Sequence, residues 1–415
     1  RAGTLPEDNS VQRIASLRRF EGGGSGPKAL FTVEYARPDD ALDARLFMKM
    51  PHPLWENETQ RYQGEGQGKF GDGFGGEISY YRFLSPYTPF PAPKLYFGDL
   101  NRVSTEACLI NAAMEWPEEG RADFGPYELM PPCGKCEDYE LKDPVEYYYA
   151  VLRQLGTFAG LAKADRLGPH LKHIQWYECT PKNDVFCSAA MPGVEKETRT
   201  FVEDIAPHLW PEAVKRKAFL DKFEKEMATV NKHCLEIAEF LYSDPLYVGL
   251  HHQNGNTDNA YYFRDGDGRL ACGILDWGST APMSYATGFQ GTFVSALGDM
   301  LAEHDDQLVR CWCDAYHEAG GPRMDFGELL FRYRLATCVS AYNCCSFSRS
   351  WLNPQGKAAM ATCKAYNDGW LRTDFGMRFS MSMLYNRVIL LAARGDLYWG
   401  ALREMLRRKP GLPAP

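Results

Sequence analysis

Residues 251–260 of the chain read HHQNGNTDNA, and the segment GILDWGS follows shortly after. Counted from His252, the first segment matches an H-x-D-x-x-x-x-N catalytic loop, with Asn254 at the aspartate position and Asn259 at the final asparagine. In phosphoryl transfer the aspartate of such a loop accepts the proton of the acceptor hydroxyl, while the asparagine and a second aspartate hold magnesium on the phosphates. Asp276 of LDWG supplies that second aspartate. The spacing predicts magnesium ligands at Asn259 and Asp276, and a catalytic position altered at Asn254.

The loop can also be counted in a second register. Counted from His251, Gln253 takes the base position and Asp258 takes the metal position. We favour the register from His252, because it keeps an asparagine at the metal position and lets NAYYF follow directly as a strand.

Three further segments carry groups suited to phosphate. Gly23, Gly24 and Gly26 lie in FEGGGSG, where glycines let backbone N–H groups approach phosphate oxygens closely. Lys49 lies in the apolar run RLFMKMP, where burying an ammonium is costly without anionic partners. Glu77 opens the helical segment EISYYRFLS and is the candidate partner of Lys49. Each segment alone also has an ordinary explanation: a linker, an edge-strand lysine facing water, and an acid in the first turn of a helix.

Three regions of differing composition must position these side chains. Residues 1–116 contain β-biased runs, including ALFTVEYA, ARLFMKMP, PKLYFGDL and EACLINAAM. Residues 117–143 are rich in proline, glycine and charge, which predicts a connector with an insertion. Residues 144–415 show apolar residues at helical period, interrupted by one hairpin pattern before LDWG. This order predicts an α+β fold with a small β-rich lobe, a large helical lobe and a site in the cleft between them.

These motifs together resemble the aminoglycoside phosphotransferase and choline-kinase-like superfamily, a branch of the protein-kinase-like fold. PAPKLYFGDL and LGTFAGLAKAD are also similar to patterns of that superfamily, and the match runs through most of residues 15–290. The resemblance implies a bilobal fold that uses ATP and Mg²⁺. It implies that Lys49 contacts the α- and β-phosphates, that Glu77 pairs with Lys49, and that Asn259 and Asp276 hold the metal.

Asn254 departs from the family pattern at the base position. An amide has no basic lone pair at neutral pH, so it cannot accept the proton of a substrate, although it can orient a hydroxyl. General-base catalysis contributes about 10²–10⁴-fold. The sequence therefore favours a nucleotide-binding pseudokinase that acts as a regulator or as an accessory subunit of a larger assembly. The alternative is an active Mg-ATP-dependent phosphotransferase acting on the hydroxyl of a small molecule, and Asn254 and His252 are its catalytic candidates.

Charge and apolar run length argue against two classes of partner, nucleic acid and the membrane interior. A formal net charge of −8 and a pI of about 5.7 disfavour a nucleic-acid binder. No apolar run reaches the roughly 18–20 residues that a membrane-spanning helix needs. We expect an intracellular soluble protein. It is either organellar (plastid or mitochondrial) after removal of an upstream targeting segment, or cytoplasmic.

The thirteen cysteines include one CxxC pair, Cys133 and Cys136, in PPCGKCEDYE. Half of a zinc site, a redox pair and two ordinary loop thiols are all compatible with this spacing. We favour ordinary thiols, because no second pair of ligands lies nearby in the sequence. A redox or metal-binding role for this pair is the third function considered.

Overall fold

The computed structural model describes residues 4–20, 26–51, 73–101, 104, 106–118, 120–184 and 191–408. The chain divides into two compact units. The first comprises Arg1–Pro132, Leu161–Glu178 and Tyr261–Pro282, and the second comprises Cys133–Gly160, Cys179–Ala260 and Met283–Pro415. The segment that carries LDWG therefore belongs to the same unit as the strands near the start of the chain.

The fold is α+β, as the sequence predicts. Its strands are β1 (Val11–Phe20), β2 (Lys28–Tyr35), β3 (Arg45–Lys49), β4 (Leu95–Leu100), β5 (Ala107–Ala112), β6 (Val248–His252), β7 (Ala260–Arg264), β8 (Leu270–Ile274) and β9 (Thr280–Ser284). Its helices are α1 (Gly73–Ser79), α2 (Pro144–Lys163), α3 (Val194–Thr200), α4 (Glu212–Lys215), α5 (Lys217–Leu241), α6 (Tyr285–Thr292), α7 (Gly298–Glu318), α8 (Phe326–Cys345), α9 (Pro354–Thr362) and α10 (Phe375–Arg408).

The first unit contains an antiparallel sheet in the order β1-β2-β3-β5-β4. Val33, Leu46 and Tyr96 form a buried apolar cluster on one face of it. Lys28 of β2 lies directly opposite Lys49 of β3. Side chains alternate between the two faces of a strand, and three positions separate Lys49 from Leu46. Both lysines therefore point to the face away from the apolar cluster.

Helix α1 begins four residues before Glu77, which corrects the prediction that this glutamate opens the helix. Residues 73–76 (GFGG), which precede Glu77, form the first turn of α1, and the helix continues as a π-helical turn over Tyr80–Leu84. A Cβ added at Gly76 would lie 3.3 Å from the carbonyl oxygen of Gly278 and 3.4 Å from that of Trp277. Glycine thus allows the helix backbone to approach the LDWG turn, and this packing outweighs the low helix propensity of glycine.

The second unit is mainly helical. Helix α10 packs along α7 and α8, and α8 also packs on α5. Helix α2 approaches α7 closely, because a Cβ at Gly156 would lie 2.3 Å from the carbonyl oxygen of Trp312, and one at Gly160 would lie 2.3 Å from that of Tyr316. The glycines of LGTFAGLAKA therefore let two backbones meet. Within the described ranges, none of the helices is apolar over a stretch long enough to cross a bilayer.

Candidate functional site

Lys49, Glu77 and Asp276 meet in the first unit. The Nζ atom of Lys49, at the end of β3, lies 2.8 Å from Oε2 of Glu77 on α1 and 2.5 Å from Oδ1 of Asp276, which follows β8. Lys49 and Glu77 are only 5% and 4% exposed. The three residues that the sequence assigns to phosphate and metal binding in this unit therefore form one ion-paired cluster.

The electrostatics of the cluster keep the lysine charged. Burial disfavours the ammonium of Lys49, but the attraction of Asp276 and Glu77 outweighs burial and raises its pKa. Burial also raises the pKa of Glu77, against the opposing pull of Lys49. The side chain of Asp276 is one-third exposed, so its carboxylate remains accessible from solvent.

Trp277 anchors the turn that presents Asp276. Its ring is fully buried and stacks on Tyr80, with centroids 3.5 Å apart and planes 9° apart. Its Nε1–H donates to the carbonyl oxygen of Ile274 at 2.9 Å. Asp276 itself has a φ of 56°, in the left-handed region that a non-glycine residue adopts at a cost. The buried tryptophan therefore anchors a turn in which the aspartate has an uncommon backbone conformation.

Of the predicted glycine-rich loop, the structure describes Gly26. Gly23 and Gly24 lie outside the described residues. Gly26 has a φ of 119°, which favours glycine. Nζ of Lys28 donates to the carbonyl oxygen of Gly26 at 3.4 Å. Burial, and next the neighbouring Lys49, lower the pKa of Lys28. The sequence analysis did not identify Lys28, because only the strand register places it beside Lys49.

The predicted catalytic loop, His252 to Asn259, lies in the second unit and is held by hydrogen bonds between its own residues. The backbone N–H of Asn254 donates to Nδ1 of His252 at 3.1 Å. The Nδ2 group of Asn259 donates to the carbonyl oxygen of Asn254 at 2.7 Å and to Oδ1 of Asn256 at 3.2 Å. Both hydrogens of the Asn259 amide are thus donated within the loop, and its side-chain carbonyl oxygen is the remaining atom of a type that a metal takes. His252 is fully buried, and its Nδ1 atom accepts the hydrogen bond that holds the loop backbone.

Helix α6 supports this loop from one side. A Cβ added at Gly291 would lie only 1.5 Å from the carbonyl oxygen of Gln253. Nδ2 of Asn256 donates to the carbonyl oxygen of Gly291 at 3.2 Å. The absence of a side chain at position 291 therefore lets the helix contact the backbone immediately before Asn254.

The two residues that define the second register have different surroundings. His251 is fully buried against Tyr285, Phe289 and Trp312, and burial lowers its pKa to about 3. It is a neutral core residue at physiological pH. The carboxylate of Asp258 lies 3.0 Å from Nζ of Lys135. Asp258 is thus paired with a cation of the chain itself.

Lys135 and Asp138 are neighbours of the loop that the sequence analysis missed. Lys135 also donates to Oδ1 of Asn256 at 3.2 Å. Asp138 is buried and accepts hydrogen bonds from the hydroxyls of Tyr148 at 2.6 Å and Thr257 at 3.2 Å. Burial raises the pKa of Asp138 to about 7. Both residues lie in the stretch interpreted as a connector, and no spacing in that stretch indicates that it reaches the loop.

Cys133 and Cys136 flank Lys135 as free thiols. Burial raises the pKa of each to about 12, so neither is a thiolate at neutral pH. Within the described residues, no group of three or more histidine, cysteine, aspartate or glutamate side chains is arranged to hold a metal ion. The raised thiol pKa values favour ordinary thiols over a reactive pair.

Three solved structures with folds similar to this chain are named as kinases or phosphotransferases. A microcompartment-associated aminopropanol kinase is 10% identical, with 93% of this chain and 94% of that chain covered at a TM-score of 0.45. Plasmodium vivax ethanolamine kinase is 14% identical, with 94% and 85% covered at 0.42. A spectinomycin phosphotransferase, crystallised in complex with ADP and spectinomycin, is 12% identical, with 92% and 94% covered at 0.40.

No family model and no curated protein matches the chain. At these identities and TM-scores the similarity assigns no function, so a function must be argued from the residues of the chain itself.

Proposed function

We propose that this chain binds ATP or a similar nucleoside triphosphate together with magnesium, and that it transfers phosphate inefficiently if at all. The observation that carries this proposal is the buried cluster of Lys49, Glu77 and Asp276. A buried ammonium fixed by carboxylates is a preformed site for phosphate, since a lysine binds phosphate as a point charge and needs no further ordering. The cost of burying these charges is difficult to explain by stability alone, because buried ion pairs stabilise a fold little.

Each unit supplies one oxygen donor of the kind that magnesium takes. Asp276 offers a one-third-exposed carboxylate, and Asn259 offers a carbonyl oxygen, because its amide hydrogens are donated within the loop. Magnesium prefers oxygen ligands of this kind and supplies positive charge to the phosphates when bound. Lys49 binds and orients the phosphates, and Glu77 keeps Lys49 in place.

The contacts of the loop favour the register counted from His252. The amide of Asn259 donates within the loop and leaves a carbonyl oxygen for a metal, whereas Asp258 is paired with Lys135 and His251 is a neutral core residue. In this register Asn254 stands where a base is needed. An amide there can orient a hydroxyl but cannot take its proton. Binding is therefore retained, while the proton-transfer contribution of about 10²–10⁴-fold is lost.

Calorimetric titration of the full chain with ATP and MgCl₂ tests the proposal. The wild type is expected to bind, and Lys49→Met is expected to lose most of the affinity because the phosphates lose their buried cation. Arg19→Met is the matched control: Arg19 is an exposed cation of the same sheet, opposite Ala29 and so on the other face from Lys49. Absence of binding by a folded wild type, or equal binding by Lys49→Met, would show that the cluster has a structural role only.

An active phosphotransferase acting on the hydroxyl of a small molecule is the second candidate. The observation in its favour concerns the backbone of Asn254. Its N–H is bonded to His252 and its carbonyl oxygen to Asn259, and a fixed backbone of this kind is what a catalytic loop needs. A screen of hydroxyl acceptors with wild type and Asn254→Asp separates the two candidates. We expect the aspartate variant to gain up to about 10²–10⁴-fold in transfer. Equal and substantial turnover by both proteins would favour the active enzyme.

A binder without efficient turnover is suited to act as a regulator or as an accessory subunit. Partners would sense whether nucleotide is bound, because ligand binding stabilises the bound state of the chain. Size-exclusion chromatography of the protein from its native source tests this role. Elution as a monomer, with and without Mg-ATP, would rule out a stable assembly.

A further inference from the structure

His251 is a buried histidine that directly precedes the predicted catalytic loop. It lies in β6, and its side chain is fully buried. A Cβ added at Gly288 of α6 would lie only 2.4 Å from its Nδ1 atom. The missing side chain at position 288 therefore makes room for the imidazole ring, which is packed closely against α6.

The hydrogen bond of this ring fixes its tautomer. Nδ1 of His251 lies 3.1 Å from the carbonyl oxygen of His252. A carbonyl oxygen can only accept, so Nδ1 is the nitrogen that carries the hydrogen. Burial lowers the pKa of His251 to about 3, so the ring is neutral at physiological pH and Nε2 is left as an acceptor.

The surroundings of Nε2 suit an acceptor. Within the described part of the chain, neither Nε2 of His251 nor Nε1 of Trp312 has a hydrogen-bond partner, although both are buried. The centroids of these two rings lie 5.9 Å apart, and the rings of Tyr285 and Tyr316 pack on the same indole at 4.8 and 5.2 Å. An indole N–H can only donate, and the tyrosine hydroxyls can donate as well. A hydrogen on Nε2 would add another donor to this cluster, whereas the Nδ1–H tautomer supplies an acceptor.

The bond to His252 connects the ring with the contacts that shape the loop. The carbonyl group of His252 belongs to the peptide unit that joins it to Gln253, so this bond fixes the first peptide plane of the loop. Nδ1 of His252 accepts from the N–H of Asn254, and the carbonyl oxygen of Asn254 accepts from Asn259. The ring of His251 therefore acts at the point where the chain enters the loop.

We propose that His251 is a positioning residue for the predicted catalytic loop, because its imidazole ring holds the carbonyl group of His252 and so sets the direction in which the chain enters the loop. The H-x-D-x-x-x-x-N pattern begins at His252 and specifies nothing for the position before it. A leucine there would fill the aromatic cluster without a donor for the carbonyl group.

The tautomer is measured by NMR on the full chain labelled with ¹⁵N-histidine, from the correlations between the ring nitrogens and the hydrogens on the ring carbons. The signals of His251 are those missing from the His251→Asn variant. At neutral pH we expect an uncharged ring with its hydrogen on Nδ1. A hydrogen on Nε2, or a charged ring, would overturn the proposal, because neither form matches the bond to the carbonyl group of His252.

Hydrogen exchange of the backbone amides of residues 252–259 measures the positioning itself. His251→Leu should exchange about 2- to 10-fold faster than the wild type in this segment, the effect of losing one hydrogen bond. His251→Asn keeps an N–H donor close to the place of Nδ1 and should exchange like the wild type. The matched control is His233→Leu, which removes a buried histidine of α5 that is bonded to Glu236 and should leave the loop unchanged. Equal exchange in His251→Leu and the wild type, or equally fast exchange in His251→Leu and His251→Asn, would show that the ring does not position the loop.

Mg-ATP titration of the same variants separates this inference from the proposed function, on which only this readout rests. Asn259 of the loop is the proposed metal ligand, so His251→Leu should weaken Mg-ATP binding by about 2- to 10-fold, and His251→Asn should not. If the wild type does not bind Mg-ATP but the tautomer and the exchange are as expected, the proposed function is wrong and the positioning role stands. If the wild type binds and His251→Leu leaves exchange unchanged, the positioning role is wrong and the proposed function stands.

Discussion

Removing the ammonium of Lys49 should destabilise the first unit strongly. Lys49→Met leaves the carboxylate of Glu77, which is only 4% exposed, without the cation 2.8 Å away, and it leaves Asp276 without its partner at 2.5 Å. Breaking a buried ion pair from one side costs about 3–5 kcal/mol, because the remaining charge has lost its compensation. Urea unfolding with linear extrapolation measures the change in the free energy of unfolding.

A second variant tests whether Glu77 is the cause. Lys49→Met/Glu77→Gln removes both charges of the buried pair, so it should be more stable than Lys49→Met alone. The expected coupling is about 1–3 kcal/mol, within the range for residues in direct contact. Arg19→Met, which removes an exposed cation of the same sheet, should change stability by less than about 0.5 kcal/mol.

The pH dependence of the stability of Lys49→Met tests the same explanation independently. Burial raises the pKa of Glu77, and in Lys49→Met the opposing pull of the lysine is gone. The folded state then holds a proton that the unfolded state releases, so the free energy of unfolding falls as pH rises through the raised pKa. The defect of Lys49→Met should therefore be small in acid and large at alkaline pH. Equal stability of the single and double variants at every pH would refute the view that Lys49 compensates Glu77.

Two further predictions concern the second unit. The pKa of Asp138 is raised from 3.8 to about 7 by burial, so the free energy of unfolding should fall by about 4 kcal/mol as pH rises across that interval. Asp138→Asn should remove this dependence in thermal melts recorded against pH, and an unchanged slope would contradict the assignment. Gly291→Ala should cost about 1–3 kcal/mol and displace the loop, because its Cβ would lie 1.5 Å from the carbonyl oxygen of Gln253. Gly400→Ala, whose Cβ finds its nearest neighbour at 4.0 Å, is the matched control and should be neutral or slightly stabilising.

The elements of the fold were largely predictable from local pattern. Runs such as ALFTVEYA and EACLINAAM are rich in apolar residues, and they form β2 and β5. The start of α1 was not predictable, since its glycines have low helix propensity. They are helical because α1 must approach the backbone of Trp277 and Gly278, a contact about 200 residues away in sequence that no local pattern encodes.

The candidate site divides in the same way. Lys49, Glu77 and Asp276 could be named from residue type and spacing, and the structure brings these three together. Lys28 could not be named, because its relation to Lys49 depends on the register of two strands. Lys135 was also missed, since the segment that carries it reaches the loop through tertiary packing alone. A motif can identify a residue by its type and its spacing from other residues. A residue that matters because of its neighbours in space can be identified only once the fold is known.

The contacts around Asn254 separate the shape of the loop from its chemistry. His252 and Asn259 hold residue 254 through its backbone N–H and carbonyl oxygen, and helix α6 contacts the backbone of Gln253. These contacts do not involve the side chain of residue 254, so aspartate and asparagine leave them equally intact. Under the proposed function, an amide in place of the base would therefore abolish proton transfer without requiring the loop to rearrange. The hydrogen bond from Asn259 to the backbone of residue 254 would also be unchanged, so the proposed metal ligand would keep its place in the loop without the base.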